Sequence, residues 1–257
     1  MQWDPEQYLQ FAGERGRPFR DLMTRVRASD PRVVADLGCG AGNLTRELAE
    51  RWPGADVEGV DDSPEMIRRA RTEAGEGVRL TLADIRAWEP ARPVDVLVSN
   101  ATLQWVPDHL PLLDRLAGFL APGGWLAVQV PGNFGEPSHT LLRELATEPP
   151  WRERLTGVRW PGVPEPQTYL ARLAGLGLRA DVWETTYLQV LDGEDAVLRW
   201  MRGTGLRPVL SALKGDAERA RFEAAYGEHL RKAYPRNAYG TVLPYRRIFL
   251  VATRGQG

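Results

Sequence analysis

One run constrains this chain more than any other. Arg32-Val33-Val34-Ala35-Asp36-Leu37 is mostly apolar and is broken abruptly by Gly38-Cys39-Gly40-Ala41-Gly42. An apolar run without polar alternation reads as a strand buried on both faces, as in a sheet covered by helices on either side. The alternating glycines let the backbone turn sharply and approach a ligand where a side chain would clash. The sequence that follows agrees. Asn43 to Arg51 places Leu44 and Leu48 on one helical face, and Pro53-Gly54 stops it. Asp56 to Val60 reads as a second strand. Ser63-Pro64-Glu65 opens another helix, with Ser63 as cap and Pro64 in the first turn. Strands are expected at Val78 to Leu82, Val94 to Ser99 and Trp125 to Val130. A helix from about Leu110 to Leu120 lies between the last two, ended by Pro122-Gly123-Gly124. Such alternation requires right-handed crossovers and a parallel sheet, whose ligands collect at the carboxyl ends of the strands.

The second half changes character. Pro and Gly cluster from Pro149 to Pro166, an irregular excursion. Gln167 to Leu176 reads as helix and Arg179 to Leu191 as a long strand alternating through Val182, Glu184, Thr186 and Leu188. Glu194 to Arg202 and Asp216 to Ala233 read as helices, and Ile248 to Ala252 as a last apolar strand. The chain is therefore expected to form one domain over residues 1–257. Residues 1–30 form an N-terminal helical cover, 31–131 a cofactor-binding core and 132–257 a substrate-side half. A helical cap over about 192–243 is expected above the active edge of the sheet.

Composition narrows the partners. The 33 basic and 34 acidic residues give a net charge of −1, without the basic excess that phosphate backbones attract, so no nucleic-acid partner is expected. No segment reaches the roughly 20 apolar residues of a membrane span. The acidic start MQWDPEQYLQF lacks the pattern of a secretory leader. The single cysteine, Cys39, allows neither an internal disulfide nor a multi-cysteine metal site. A cytoplasmic protein is expected. Lys214 and Lys232 are the only lysines, so an arginine here is not by itself a sign of anion binding.

The glycine turn does not match the dinucleotide pattern G-x-G-x-x-G, because Asn43 or Thr45 stands where the third glycine belongs. Asp36 beside the turn would repel a pyrophosphate and suits a cofactor bearing a cation. Asp61, after the second strand, is placed to accept both hydroxyls of a ribose, whereas Asp62 reads as a turn or cap residue. Met66 can cover an adenine face. Asp84, after the third strand, can accept from an adenine amino group, with Ile85 on the ring.

Gly38, Gly40 and these acids resemble the S-adenosylmethionine site of class I methyltransferases. The likeness extends to the trans-aconitate 2-methyltransferase family through Trp3-Asp4-Pro5 with Tyr8, Phe11, Arg15 and Arg17-Pro18, then VADLGCGAGNLT, GVDDSPEMI, ADIRAW, NATLQWVPDH, GNFGEPSHTLLRE, VWETTYLQ and TGLRP. LQWVPDH and the stretches from EPSH to TGLRP narrow it to the family. Ala41 departs from the proline that relatives often carry, and Trp151 to Pro164 is the least similar segment. The resemblance implies a Rossmann-like α/β fold with a mostly parallel seven-stranded sheet, helices on both faces and a helical cap. It implies S-adenosylmethionine as cofactor and a small polycarboxylate as substrate. Asn100 and Trp105, after the fourth strand, would lie beside the methionine moiety, and Tyr8 and Arg17 would reach its carboxylate. His139 and Tyr187 are candidates to line a substrate pocket, and Arg207 and Arg246, with Arg202 and Arg247, to clamp carboxylates through their planar forks.

The implied reaction moves a methyl group from a sulfonium to a carboxylate, giving a monomethyl ester. A carboxylate is already ionised at neutral pH, so no catalytic acid or base is expected. Two other readings stay open: a class I methyltransferase for another small or carrier-bound acid, and a dehydrogenase-type nucleotide binder.

Overall fold

The computed structural model describes residues 12–255, with side chains from Gly16 onward. Helix α1 (Ala12–Met23) leads into β1 (Val33–Leu37), α2 (Asn43–Arg51), β2 (Asp56–Asp61), α3 (Pro64–Glu73), β3 (Arg79–Leu82) and β4 (Val94–Asn100). A 3-10 turn (Leu103–Trp105), α4 (Leu110–Gly118) and β5 (Leu120–Pro131) follow. The second half holds α5 (Pro137–Ala146), α6 (Arg152–Leu155), α7 (Pro166–Gly175) and β6 (Arg179–Leu191). It ends with α8 (Ala196–Arg202), α9 (Arg207–Ala212), α10 (Asp216–Ala233), β7 (Arg236–Asn237) and β8 (Gly240–Thr253).

The strands form one sheet in the order β3-β2-β1-β4-β5-β8-β6. The β3-β2, β2-β1, β1-β4 and β4-β5 pairs are parallel. The order reverses between β1 and β4, the switch point at which open α/β sheets bind ligands. The seven strands of this path are the expected seven. An eighth, β7, pairs antiparallel with the start of β8.

Three expectations are corrected. Pro122-Gly123-Gly124 does not end a helix: α4 stops at Gly118, and the Pro-Gly-Gly lies inside β5. There the register jumps from Val94↔Leu120 to Val96↔Trp125, so the extra residues are absorbed as a bulge. The last strand begins at Gly240 rather than Ile248, which removes 240–243 from the predicted helical stretch. Pro244, Arg246 and Arg247 hid this strand, although Leu243, Tyr245 and Arg247 alternate into a buried face. The Pro-rich excursion also contains a helical turn, α6.

The chain divides into two compact units. The first takes the described residues through Val130, Val163–Glu184 and Ile248 onward; the second takes Pro131–Gly162 and Thr185–Arg247. The core of the first joins Leu37, Val60, Leu97 and Val128 from the sheet to Leu113 and Leu116 of α4 and Tyr169 and Leu173 of α7. Helix α1 is fastened to α2: Arg51 donates from Nη1 to the Met23 carbonyl at 2.7 Å, and Arg20 pairs with Glu47 at 2.8 Å. In the second unit Trp151 meets Phe222 edge-on at 5.1 Å between ring centroids, and Arg202 on α8 grips Glu223 on α10 from Nε at 2.7 Å. Among the described residues no helix is long and apolar enough to cross a membrane.

Candidate active site

In the first unit the site grows from the end of β1. The Gly38 and Cys39 amides donate to the Val60 carbonyl at 2.7 and 3.0 Å, which ties the loop to β2. Gly38 has φ +79°, and a Cβ there would lie 2.1 Å from Thr102 Oγ1. Only glycine fits. Gly40 has φ +55°, and a Cβ there would meet nothing within 4 Å. Its backbone borders open space, as a ligand cradle requires.

Asp61 joins loop to sheet. Its Oδ2 accepts from the Gly40 amide and its Oδ1 from the Ser63 amide, both at 2.9 Å. Burial raises its pKa; the Ser63 and Gly40 amides oppose that rise, and the Asp62 charge adds to it. Each oxygen keeps a second acceptor direction, so a carboxylate locked this way can still receive a hydroxyl pair. Asp36 is 3% exposed and accepts from Thr45 Oγ1 at 2.7 Å. Burial pushes its carboxyl up to about 6 against that hydrogen bond, with the Asp61 charge adding to the rise. Asp84 is held by Arg86, which donates from Nε at 2.9 Å, and this partner lowers its pKa. Ile85 and Met66 are both buried, and Met66 sits one turn into α3 where Ser63 caps it.

After β4 the backbone enters the left-handed region at Ala101, φ +53°. Asn100 Oδ1 is buried with no hydrogen-bond partner among the described residues, as are Gln104 Oε1 and Gln129 Nε2. Gln129 is 2% exposed and lies opposite Asn100 in the β4-β5 register. Sequence reasoning passed over Gln129, although a lone amide in the apolar run Trp125 to Val130 was the signal. Thr45 and Thr102 were missed too, because their roles depend on contacts across the loop. Trp105 is 38% exposed at the end of the 3-10 turn. Arg17 stands on α1 with Nε 4.0 Å from Asp21, one turn on. Tyr8 lies outside the described residues.

The second unit gathers other predicted residues. Tyr187 is buried, 6.4 Å from Tyr245 between ring centroids, and Trp200 meets Tyr245 edge-on at 5.2 Å. The Arg247 guanidinium lies 3.5 Å over the Tyr245 ring, in a residue only 6% exposed. His139 Nδ1 is 3.1 Å from Ser138 Oγ, and its ring meets Phe134 edge-on at 5.3 Å. A Cβ on Gly205 would be 3.4 Å from His139 Nε2 and 2.7 Å from Met201 Cε. The TGLRP turn thus rests on the histidine of EPSH. Arg207 follows as the first residue of α9. Arg246, on β8, donates from Nη1 to the Gly132 carbonyl at 3.0 Å. Burial first, then the charges of Arg143 and Arg247, lower the His139 imidazole to about 4.

Proteins named trans-aconitate 2-methyltransferase share 54% identity with this chain in Streptomyces coelicolor, covering 99% of it and 88% of that protein. Another, from Mycobacterium sp. strain KMS, is 51% identical over 98% of this chain and all of its own length. The chain belongs to the trans-aconitate 2-methyltransferase family. A methyltransferase-domain family model matches residues 34–124. The fold is the Rossmann-like class I methyltransferase fold. The YcgJ protein of Bacillus subtilis superposes with a TM-score of 0.60 at 15% identity, covering 93% of this chain and 98% of that one. Phosphoethanolamine N-methyltransferase 2 of Haemonchus contortus, solved with S-adenosyl-L-methionine, gives 0.56 at 17% identity, covering 93% and 53%.

Proposed function

We propose that this member of the family is an S-adenosylmethionine-dependent O-methyltransferase that converts trans-aconitate, or a closely similar small tricarboxylate, to its monomethyl ester. The observation that carries the reading is near-complete family similarity at about half identity, joined to a first-unit edge whose donor set fits the cofactor. The fit rests on the open Gly40 backbone, the fixed Asp61 carboxylate and the orphaned Asn100 acceptor.

When bound, S-adenosylmethionine supplies a methyl group carried on a positively charged sulfur. Asp61 holds the ribose hydroxyls, Gly38 and Gly40 present bare backbone, and Met66 and Ile85 flank the adenine. Asp84 takes the adenine amino group beside Arg86. Asn100 and Trp105 bound the methionine end, with Tyr8 and Arg17 at its carboxylate. Asp36 is charged at neutral pH despite burial that disfavours the charge, an arrangement that favours a cationic guest.

No residue is assigned as acid or base, because the attacking carboxylate is ionised from the start. The chain's task is alignment and exclusion of water. His139, Tyr187, Arg207 and Arg246 take the substrate, the arginines holding carboxylates that do not react, since a tight pair would blunt a nucleophile. The protein works on a small molecule in the cytoplasm without a nucleic-acid or membrane partner.

The deciding experiment is methyl transfer from labelled S-adenosylmethionine to a panel of mono-, di- and tricarboxylates. Trans-aconitate should head the panel by kcat/KM. Preference for a monocarboxylate or a carrier-bound acid would overturn the substrate, and binding of NAD in place of S-adenosylmethionine would overturn the reaction class.

A further inference from the structure

The first unit holds a cavity far from the glycine loop. Its volume is about 620 Å³, within the roughly 300–1,000 Å³ of small-molecule sites. Its walls come from the turn before β1, the starts of β4 and β6, the Pro-Gly-Gly bulge of β5 and the end of β8. Every lining residue belongs to the first unit. Asp95 lines it near the start of β4, and Asn100 ends that strand. At about 3.3 Å per residue the two lie roughly 17 Å apart. The cavity therefore opens on the amino edge of the sheet, away from Asp36, Asp61 and Asn100 on the carboxyl edge.

Arg27, Arg179 and Arg254 bring three guanidinium groups to this space, against two carboxylates, Asp30 and Asp95. One acid is already engaged: Asp95 Oδ2 accepts from the Arg32 and Val33 amides at 2.8 and 2.9 Å. Asp181, the acid nearest to Arg179 along β6, is taken by Arg25 at 3.0 Å. Among the described residues the side chains of Arg27 and Arg179 have no hydrogen-bond or ion-pair partner. Arg254 is anchored instead. Its Nη2 donates to the Ala117 carbonyl at 2.9 Å, and its backbone is bonded to Gly123 and Gly124. One anchored guanidinium and two unpaired ones around an open space suit a phosphate or a carboxylate. Trp125 narrows the choice. Its half-buried indole lines the same cavity, a flat surface that an aliphatic acid leaves bare and a heterocyclic base covers.

We propose that this cavity is a second ligand site, one for a nucleoside phosphate. The base lies on Trp125, the phosphate meets the three guanidinium groups, and Asp30 and the second oxygen of Asp95 accept from the ribose hydroxyls or the base amino group. No bond is made or broken there, and the site is independent of methyl transfer. Each part of the lining has a use for this ligand. A polycarboxylate would use the arginines alone and would be repelled by both acids.

Calorimetry of AMP against the full chain tests this, with S-adenosylhomocysteine at saturation so that the cofactor edge is filled. Saturable binding of one equivalent is expected, tighter than about 1 mM. The double variant Arg27→Gln, Arg179→Gln changes two exposed side chains and should weaken AMP at least about tenfold while S-adenosylhomocysteine binds as before. Inorganic phosphate and ribose 5-phosphate should each bind at least about tenfold more weakly than AMP, because neither covers the indole. Absence of saturable AMP binding, unchanged affinity in the double variant, ribose 5-phosphate as tight as AMP, or displacement of S-adenosylhomocysteine by AMP would each overturn the proposal and leave the cofactor reading intact. Failure of S-adenosylhomocysteine to bind would overturn the cofactor reading alone, and the same AMP titration on the free chain and the double variant then decides the second site.

Discussion

The two units solve opposite electrostatic problems with opposite materials. In the first, carboxylates stand at or near the ends of successive strands, Asp36, Asp61 and Asp84, beside the bare backbone of Gly38 and Gly40. In the second, Arg247 lies over the Tyr245 ring, and the charges of Arg143 and Arg247 act on His139. An acid-lined edge suits a sulfonium cofactor with hydroxyls and amines to donate, and a cation-rich cluster suits a polycarboxylate. The assembly differs as well. The first set hangs on the ends of neighbouring parallel strands and needs only the sheet to bring it together. The second requires four separated segments, around His139, Tyr187, Gly205 and Tyr245, to converge. On the proposed assignment the cofactor would be held by contiguous motifs and the substrate by tertiary convergence.

Variants that confine a loss to one reactant sharpen this division, and variants that disturb both would break it. The largest effect is expected from Gly40→Val. The branched side chain must adopt φ +55° and intrude where the cofactor passes. Affinity for S-adenosylmethionine should disappear, while urea melts show a loss of only about 1–2 kcal/mol. Normal cofactor binding would remove the loop from the site.

Asp61→Ala comes next. At about 1.5–3 kcal/mol for each hydrogen bond to a charged acceptor, losing even one of the ribose contacts should raise the cofactor's dissociation constant at least roughly 10-fold. Calorimetry with the cofactor and with trans-aconitate separates the outcomes, since only the first should change. Arg207→Lys is the reciprocal case. It keeps the charge and loses the fork, so KM for a tricarboxylate should rise about tenfold with cofactor affinity unchanged. Equal losses for tricarboxylate and monocarboxylate would make Arg207 structural.

The smallest effect is a pH-dependent stability. Asp36 has a folded pKa of about 6, above the roughly 3.9 of an unfolded aspartate. The folded protein therefore binds this proton more tightly, and the stability it confers is present below about pH 4 and lost as pH rises through 6. Asp36→Asn leaves an oxygen for Thr45 and no charge to bury. Its melting temperature should exceed that of the native protein by a few degrees at pH 8, and the difference should close near pH 4. A difference independent of pH would mean that the carboxylate is not the group involved.

The strands through β4 and the long strand β6 were legible because each is an apolar or alternating run bounded by glycine, proline or a cap. Arg179 to Leu191 and Asp216 to Ala233 match their observed limits. The start of β8 was not, since Pro244, Arg246 and Arg247 read as polar loop and only burial of alternate residues shows the strand. The second unit's cluster was legible in part: His139, Tyr187 and Arg247 are candidates from the sequence, whereas Tyr245 and Met201 carry no motif. Gly38, Gly40, Asp36 and Asp61 were legible as a set because glycine spacing and strand ends record local backbone demands. The partner of Asp36, Thr45, is fixed by a helix turning back over the loop, which no short pattern records.

The loop's two glycines would part company under relaxed selection. At Gly38 a methyl group would lie 2.1 Å from Thr102 Oγ1, far inside van der Waals contact, so a lineage that lost all need for the cofactor would still retain this glycine in order to fold. Gly40 faces empty space, and asparagine or aspartate tolerates its φ. Nothing but the ligand defends it. In a duplicated copy drifting away from catalysis, position 40 should change first and position 38 last, so the residue at 40 marks whether a descendant still works for its living.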